Sequence, residues 1–204
     1  GQYLPAGGGD YQSNAYMGIM YDKGDPRIRM YFYRQTIKNT TNVNEVRCIT
    51  NTKPNHYSVS DYFCLPTPVG YWGRDHLSNE GIPPDGLLRT AWGLYPAGGS
   101  YDNDAGRGVS LGVGAGGAGL HPIMTQSFVD FMLAESALTL KTTGSAKTLL
   151  ESGIRKSMAD VRAAALGTSE GSKVTAFETE KKIVWADEVN KYVTTVLAAY
   201  DKAT

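Results

Sequence analysis

The chain has 204 residues, with 20 Lys+Arg against 20 Asp+Glu and a formal net charge of zero. That balance gives no long-range pull toward a phosphate backbone, which excludes nucleic acid as the expected partner. No run of 18 apolar residues exists, and the best candidate, Phe128 to Leu140, is interrupted by Asp130 and Glu135, so no membrane-spanning helix is predicted.

In chain order, Gly1-Gln2-Tyr3-Leu4-Pro5 shows no charged segment followed by an apolar one. This start lacks the signal-peptide pattern and reads as a mature product or a piece of something longer. Tyr16 to Tyr21 reads as a short helix ended by Gly24. After Asp25-Pro26, residues Ile28, Met30 and Phe32 alternate with Arg27, Arg29, Tyr31 and Tyr33, which predicts a strand over 27–33. Cys48 and Cys64 are separated by 15 residues, a spacing that is poor for zinc without two further ligands. Two readings stand: a disulfide, worth roughly 3 kcal/mol for such a loop if oxidised, or two unrelated thiols. Residues 66–122 hold too much Pro and Gly for long regular elements.

The composition changes sharply near Pro122. All nine prolines lie at or before it, and 20 of the 24 glycines lie at or before Gly119. Eleven of the 13 tyrosines, with Trp72 and Trp92, precede residue 102. Residues 1–122 therefore read as a loop-rich, aromatic region, and residues 123–204 as a helical region. Thr125 to Leu140 carries one apolar row at Phe128, Phe131, Met132 and Leu138. A second row holds Val129, Leu133, Ala137 and Leu140, so this helix is expected to pack on two sides. Glu135 falls on the first face, where it should sit at the edge of the buried stripe or be held by a partner.

Thr142-Thr143-Gly144 makes a turn, and Ser145 is the predicted N-cap of a second helix. That helix has Ala146, Leu149, Leu150, Ile154, Met158, Val161 and Leu166 as its apolar positions and ends at Gly167. The short link predicts an antiparallel hairpin, with Ala134, Ala137, Ala146 and Gly153 small enough for close approach. The hairpin resembles one tetratricopeptide-type unit. A third helix is predicted over about Asp187 to Lys202, with Val189, Tyr192, Val193, Val196, Leu197 and Tyr200 on one side. One hairpin cannot bury its own faces, so it should pack on the front half or on further helices.

Several motifs invite chemistry. Gly112-Val113-Gly114-Ala115-Gly116-Gly117 satisfies the dinucleotide pattern, but no βαβ unit surrounds it and Pro122 intervenes before the helix, so no cofactor is expected. Asp102-Asn103-Asp104 opens like a calcium loop, yet Gly106 comes one place early and no Glu follows at the twelfth position; a solvated turn is the expected reading. His56, His76 and His121 are scattered, without metal-ligand spacing. There is no nucleophile elbow. Asp75, Glu80 and Asp85 share a loop with Arg74 and His76; paired carboxylates could serve glycoside hydrolysis, but beside arginine they read as structural ion pairs. No catalytic residue and no metal ligand are assigned, and the chain is not expected to be an enzyme.

The most informative stretch runs Val69-Gly70-Tyr71-Trp72-Gly73-Arg74-Asp75-His76 and resumes at Trp92-Gly93-Leu94-Tyr95-Pro96. Rings mixed with polar side chains suit the CH-rich faces and hydroxyls of sugars; equally, they could be the core of a domain poor in aliphatics. The ligand-binding candidates are Tyr71, Trp72, Arg74, Asp75, His76, Trp92 and Tyr95.

Gly24-Asp25-Pro26-Arg27 with the following Tyr31-Phe32-Tyr33-Arg34, the Gly70-to-His76 run with Gly81-Ile82-Pro83-Pro84-Asp85, and His121 to Thr125 leading into Leu133-Ala134-Glu135-Ser136-Ala137-Leu138 together resemble the SusD/RagB-like nutrient-binding outer-membrane lipoproteins of Bacteroidetes, in the second SusD-like subfamily. Ser136 stands where alanine is usual. The resemblance implies a mainly α fold, with a tetratricopeptide-like helical hairpin plus an extended irregular loop region with short strands. It implies that 1–122, as the region facing ligand or partner, and 123–204, as the helical hairpin and third helix, belong to one truncated SusD-like domain. It further implies binding of an oligosaccharide, or in some relatives a peptide, at the cell surface, for uptake through a SusC-like TonB-dependent transporter, without catalysis. Family members are longer and begin with a lipidated cysteine, a role neither Cys48 nor Cys64 fits, so the chain is expected to be a fragment. An alternative class makes the loops a scaffold that packs on the transporter and touches no nutrient.

Overall fold

The computed structural model describes residues 11–37, 41, 70–75, 89–109 and 113–203. The described part is mainly helical. In order it contains α1 (Asn14–Asp22), α2 (Ile28–Tyr31), β1 (Phe32–Tyr33), β2 (Ala91–Trp92), α3 (Gln126–Thr139), α4 (Ala146–Leu166), α5 (Gly171–Glu180) and α6 (Trp185–Ala203). Among the described residues, no helix is long and apolar enough to cross a membrane. Cys48 and Cys64 lie outside the described residues.

Local signals set the helix ends. Ser13, Thr125 and Ser145 each accept a backbone N–H from the first turn of α1, α3 and α4. At the far end of α1, Asp25 N–H donates to Met20 O and Gly24 N–H to Tyr21 O, the paired bonds of a Schellman motif.

The predicted strand over 27–33 is corrected. Only Phe32 and Tyr33 are extended, pairing antiparallel with Trp92 and Ala91; Ile28 to Tyr31 forms one helical turn. The cause lies in Asp25. Its Oδ1 accepts the Arg27 N–H at 2.9 Å and its carbonyl accepts the Ile28 N–H at 3.2 Å, which tightens the chain after Pro26 into a turn. The same carboxylate takes the Arg27 guanidinium at 2.9 Å, and Arg27 Nη1 continues to Ser157 Oγ on α4 at 2.7 Å. The Asp-Pro-Arg run thus clamps the loop layer to the helices.

The two halves share a core. Met30, Leu94, Tyr95, Tyr101 and Ala115 from the loop layer pack with Val161 and Ala165 of α4 and with Val174 and Phe177 of α5. α5 has no counterpart among the predicted elements. It carries β-branched Val174, Thr175 and Thr179, which weaken intrinsic helix propensity, and burial of Val174 and Phe177 compensates. A second cluster joins Ile154 and Met158 of α4 to Val189 and Val193 of α6, with Phe131, Leu150 and Trp185 against it.

α3 packs on one side, not on the two expected. Its buried residues are Ser127, Asp130 and Ala134, whereas Phe128, Val129, Met132 and Leu133 are exposed. Two interactions select this face. Asp130 Oδ2 accepts from Ser152 Oγ at 2.7 Å and pairs with Lys156 Nζ at 2.7 Å, both on α4. Phe131 lies so close to Gly153 that a Cβ there would meet its ring at 2.6 Å. Glu135 is exposed.

The hydrogen bonds from Lys156 and Ser152 hold the Asp130 carboxyl below the usual range. A carboxylate with a depressed folded pKa stabilises the fold above its unfolded value near 3.9 and loses that contribution as pH falls through the folded value. Asp130→Asn is therefore expected to flatten the acid limb of the stability–pH curve below about pH 4. A variant with an unchanged acid limb in urea titrations would contradict this pairing.

Candidate functional site

Residues 70–75 lie as an extended segment between two others. Arg74 N–H donates to Gln12 O at 2.9 Å and Asn14 N–H to Arg74 O at 3.0 Å on one side. On the other, Thr90 N–H donates to Trp72 O at 2.8 Å and Trp72 N–H to Thr90 Oγ1 at 2.9 Å, and Thr90 leads directly into β2. The segment thereby fixes Tyr71, Trp72, Arg74 and Asp75 in the loop layer.

This layer treats the candidate residues differently. Tyr71 is buried with Met17, Met20 and Phe32, and the Arg34 guanidinium lies 5.1 Å from its ring centroid. Burial pushes the Tyr71 hydroxyl pKa up. Trp72 is buried. Tyr95 is buried on the helix side, where its ring meets Tyr31 edge-on at 5.2 Å. These three rings are used in packing, as the core reading of the aromatics anticipates. Tyr71 and Tyr95 also fall in different clusters, so the structure does not gather them into one site.

Arg74, Asp75 and Trp92 are half-buried. The Arg74 guanidinium sits 3.9 Å from the centroid of Tyr11 and donates to its hydroxyl at 3.1 Å. Arg89 approaches the same ring at 5.2 Å. Tyr11 and Arg89 carry no signal in the sequence for this role: 63 positions separate Tyr11 from Arg74, and only the pairing at Ser13–Arg74 brings them together. Trp92 keeps part of its ring open, and its indole Nε1 is buried without an acceptor among the described residues. A buried N–H lacking a partner costs free energy. His76, Glu80 and Asp85 lie outside the described residues.

The remaining motifs are structural. Asp102 and Asp104 form no solvated turn: Asp102 is fully buried against Arg34, and Asp104 pairs with Arg29 at 2.7 Å. Among the described residues no group of three His, Cys, Asp or Glu could hold a metal ion. The glycine run packs on other backbone. Ala115 N–H donates to Gly99 O and Gly117 N–H to Gly98 O, and a Cβ on Gly114 would lie 2.3 Å from Gly99 O.

Trp92, Arg74 and Asp75 keep part of their side chains open in the loop layer, and an indole, a guanidinium and a carboxylate are groups that stack on an apolar ligand face and hydrogen-bond its rim. Comparison with protein-family models, with curated proteins and with solved structures found no match to this chain.

Proposed function

We propose that this chain belongs to a SusD-like nutrient binder, holding an oligosaccharide at the cell surface for uptake through a SusC-like TonB-dependent transporter in the outer membrane. The observation that carries the reading is Trp92, an indole that stays half-open in the loop layer. Its open part offers a stacking face of the kind the CH-rich side of a sugar ring uses. Arg74, stacked on Tyr11, adds a pre-oriented guanidinium, and Asp75 supplies an acceptor. Tyr71, Trp72 and Tyr95 are buried and take part in packing.

The hairpin of α3 and α4, with its close Phe131–Gly153 approach, suits a tetratricopeptide-like scaffold, and the Asp25–Arg27–Ser157 clamp gives the Gly-Asp-Pro-Arg run a structural role in holding the loop layer to it.

Glycan-array screening of the purified protein, followed by calorimetry on the best oligosaccharide, tests this. Trp92→Ala is expected to weaken binding at least tenfold, about 1.4 kcal/mol. Trp92→Phe, which keeps a ring, should retain most of the affinity. Absence of any glycan ligand, or equal affinity in Trp92→Ala, would overturn the reading.

A further inference from the structure

A seam runs between the loop layer and the helices, and tyrosines from separate elements meet along it. On the loop side, the Tyr16 ring of α1 lies edge-on to Tyr31 of α2 at 6.0 Å between centroids, and Tyr31 lies edge-on to Tyr95 at 5.2 Å. The Arg27 guanidinium stands 5.9 Å from the Tyr31 centroid and reaches across to Ser157 Oγ of α4 at 2.7 Å. On the helix side, Tyr192 of α6 packs on the cluster of Ile154 and Met158, the buried residues of α4 on either side of Ser157. Burial first, and then the Asp25 carboxylate, raises the Tyr192 hydroxyl pKa while Arg27 opposes the rise, so this phenol lies near the Asp25–Arg27 pair. For Tyr95 the causes are burial and then the carboxylate of Asp160 on α4.

The seam is open to solvent. Tyr16 is 45% exposed, Tyr31, Tyr192 and Ser157 are half-buried, and Asp160 is exposed. Packing alone would be served by phenylalanine at these places; each phenol adds an oxygen that both donates and accepts. Rigid rings with polar tips also give a large contact area at small entropic cost, since each has only two side-chain torsions to fix. The charges narrow the ligand class. One guanidinium, Arg27, shares the seam with two carboxylates, Asp25 and Asp160, so the described residues offer no surplus of positive charge to an acidic ligand.

We propose that this seam is a binding site for a neutral saccharide, with the open part of Tyr16 as its stacking surface and the hydroxyls of Tyr31 and Tyr192 and the Asp160 carboxylate as its hydrogen-bonding rim. The choice of a saccharide rests on the nutrient-binding reading; the location does not, because Trp92 and Arg74 take no part in it. Sugar hydroxyls donate and accept at once, which matches groups that do the same, and the CH-rich side of the sugar ring lies against the phenol.

Calorimetry tests the site with the best neutral oligosaccharide from an array that also carries oligogalacturonate. Tyr16→Ala is expected to weaken binding about fivefold and Tyr192→Phe about threefold. A measurement that needs no variant is tyrosine nitration by tetranitromethane, read by mass spectrometry. Tyr16 and Tyr21 are equally open, at 45% and 46% exposed, but stand about 140° apart around α1. Saturating sugar should therefore protect Tyr16 from nitration and leave Tyr21 unchanged. Trp92→Ala separates the two sites. Loss of affinity in both tyrosine variants but not in Trp92→Ala would support this site and overturn the one at Trp92. Loss in Trp92→Ala alone would keep that site and overturn this one. Nitration of Tyr16 that is indifferent to sugar would also overturn it, as would preference for the oligogalacturonate or failure to bind any sugar.

Discussion

Asp102→Ala is expected to destabilise the protein by about 3–5 kcal/mol, the range for removing one member of a buried ion pair. Asp102 is 0% exposed and the Arg34 side chain nearly so. Arg34 Nε reaches Asp102 Oδ2 at 2.6 Å and Nη2 reaches Oδ1 at 3.1 Å, a two-pronged contact. The carboxylate also accepts the Asp104 backbone N–H at 3.2 Å. Removing it takes the two-pronged partner from a buried guanidinium that keeps Asp104 on Nη2 and the Tyr71 ring nearby, and the loss comes mainly from leaving that charge under-compensated. Urea unfolding measures it. A double replacement, Arg34→Met with Asp102→Leu, should lose clearly less than Asp102→Ala alone, because neither charge is then buried. Equal losses in the two variants would show that packing, not charge, dominates there.

The second large effect lies among the helices. Met158 is 0% exposed between α4 and α6, against Ile154, Val189 and Val193. Met158→Ala should cost about 2–5 kcal/mol, the transfer term plus the cavity left behind. Met158→Leu keeps the volume and should cost less than about 1.5 kcal/mol. A thermal or urea midpoint that barely moves for Met158→Ala would mean that α6 collapses onto α4 freely.

How much of this was legible beforehand differs by region. α3, α4 and α6 were readable nearly to their ends, because helical hydrogen bonds join residues four apart and the caps Thr125, Ser145 and Gly167 sit beside the residues they serve. α5 was not, since Gly171, Ser172, Thr175 and Thr179 are poor helix formers and its support comes from Tyr101 and Met30, far away in the chain. The turn at Ile28–Tyr31 was misread as strand because Met30 and Phe32 do follow an alternating pattern. The Asp25 carboxylate, capping Arg27, outweighed it.

The candidate site was legible in composition and not in arrangement. A run such as Tyr71-Trp72-Gly73-Arg74 states which side chains are available, and both packing and ligand stacking use the same rings. Their assignment depends on neighbours such as Gln12, Thr90 and Arg34, which reach the segment only through the folded chain.

By itself the sequence determined the neutral charge, the division near Pro122 and the helical hairpin, all of which follow from local propensity and periodicity. Only the tertiary structure decided that Tyr71, Trp72 and Tyr95 are core while Trp92 and Arg74 stay half-open. It also decided that α3 turns its polar side, through Asp130 and Lys156, toward α4. The physical reason is the same in both cases: a helix with two usable faces, or a ring with two possible roles, is settled by contacts between residues distant in sequence, and periodicity carries no record of them.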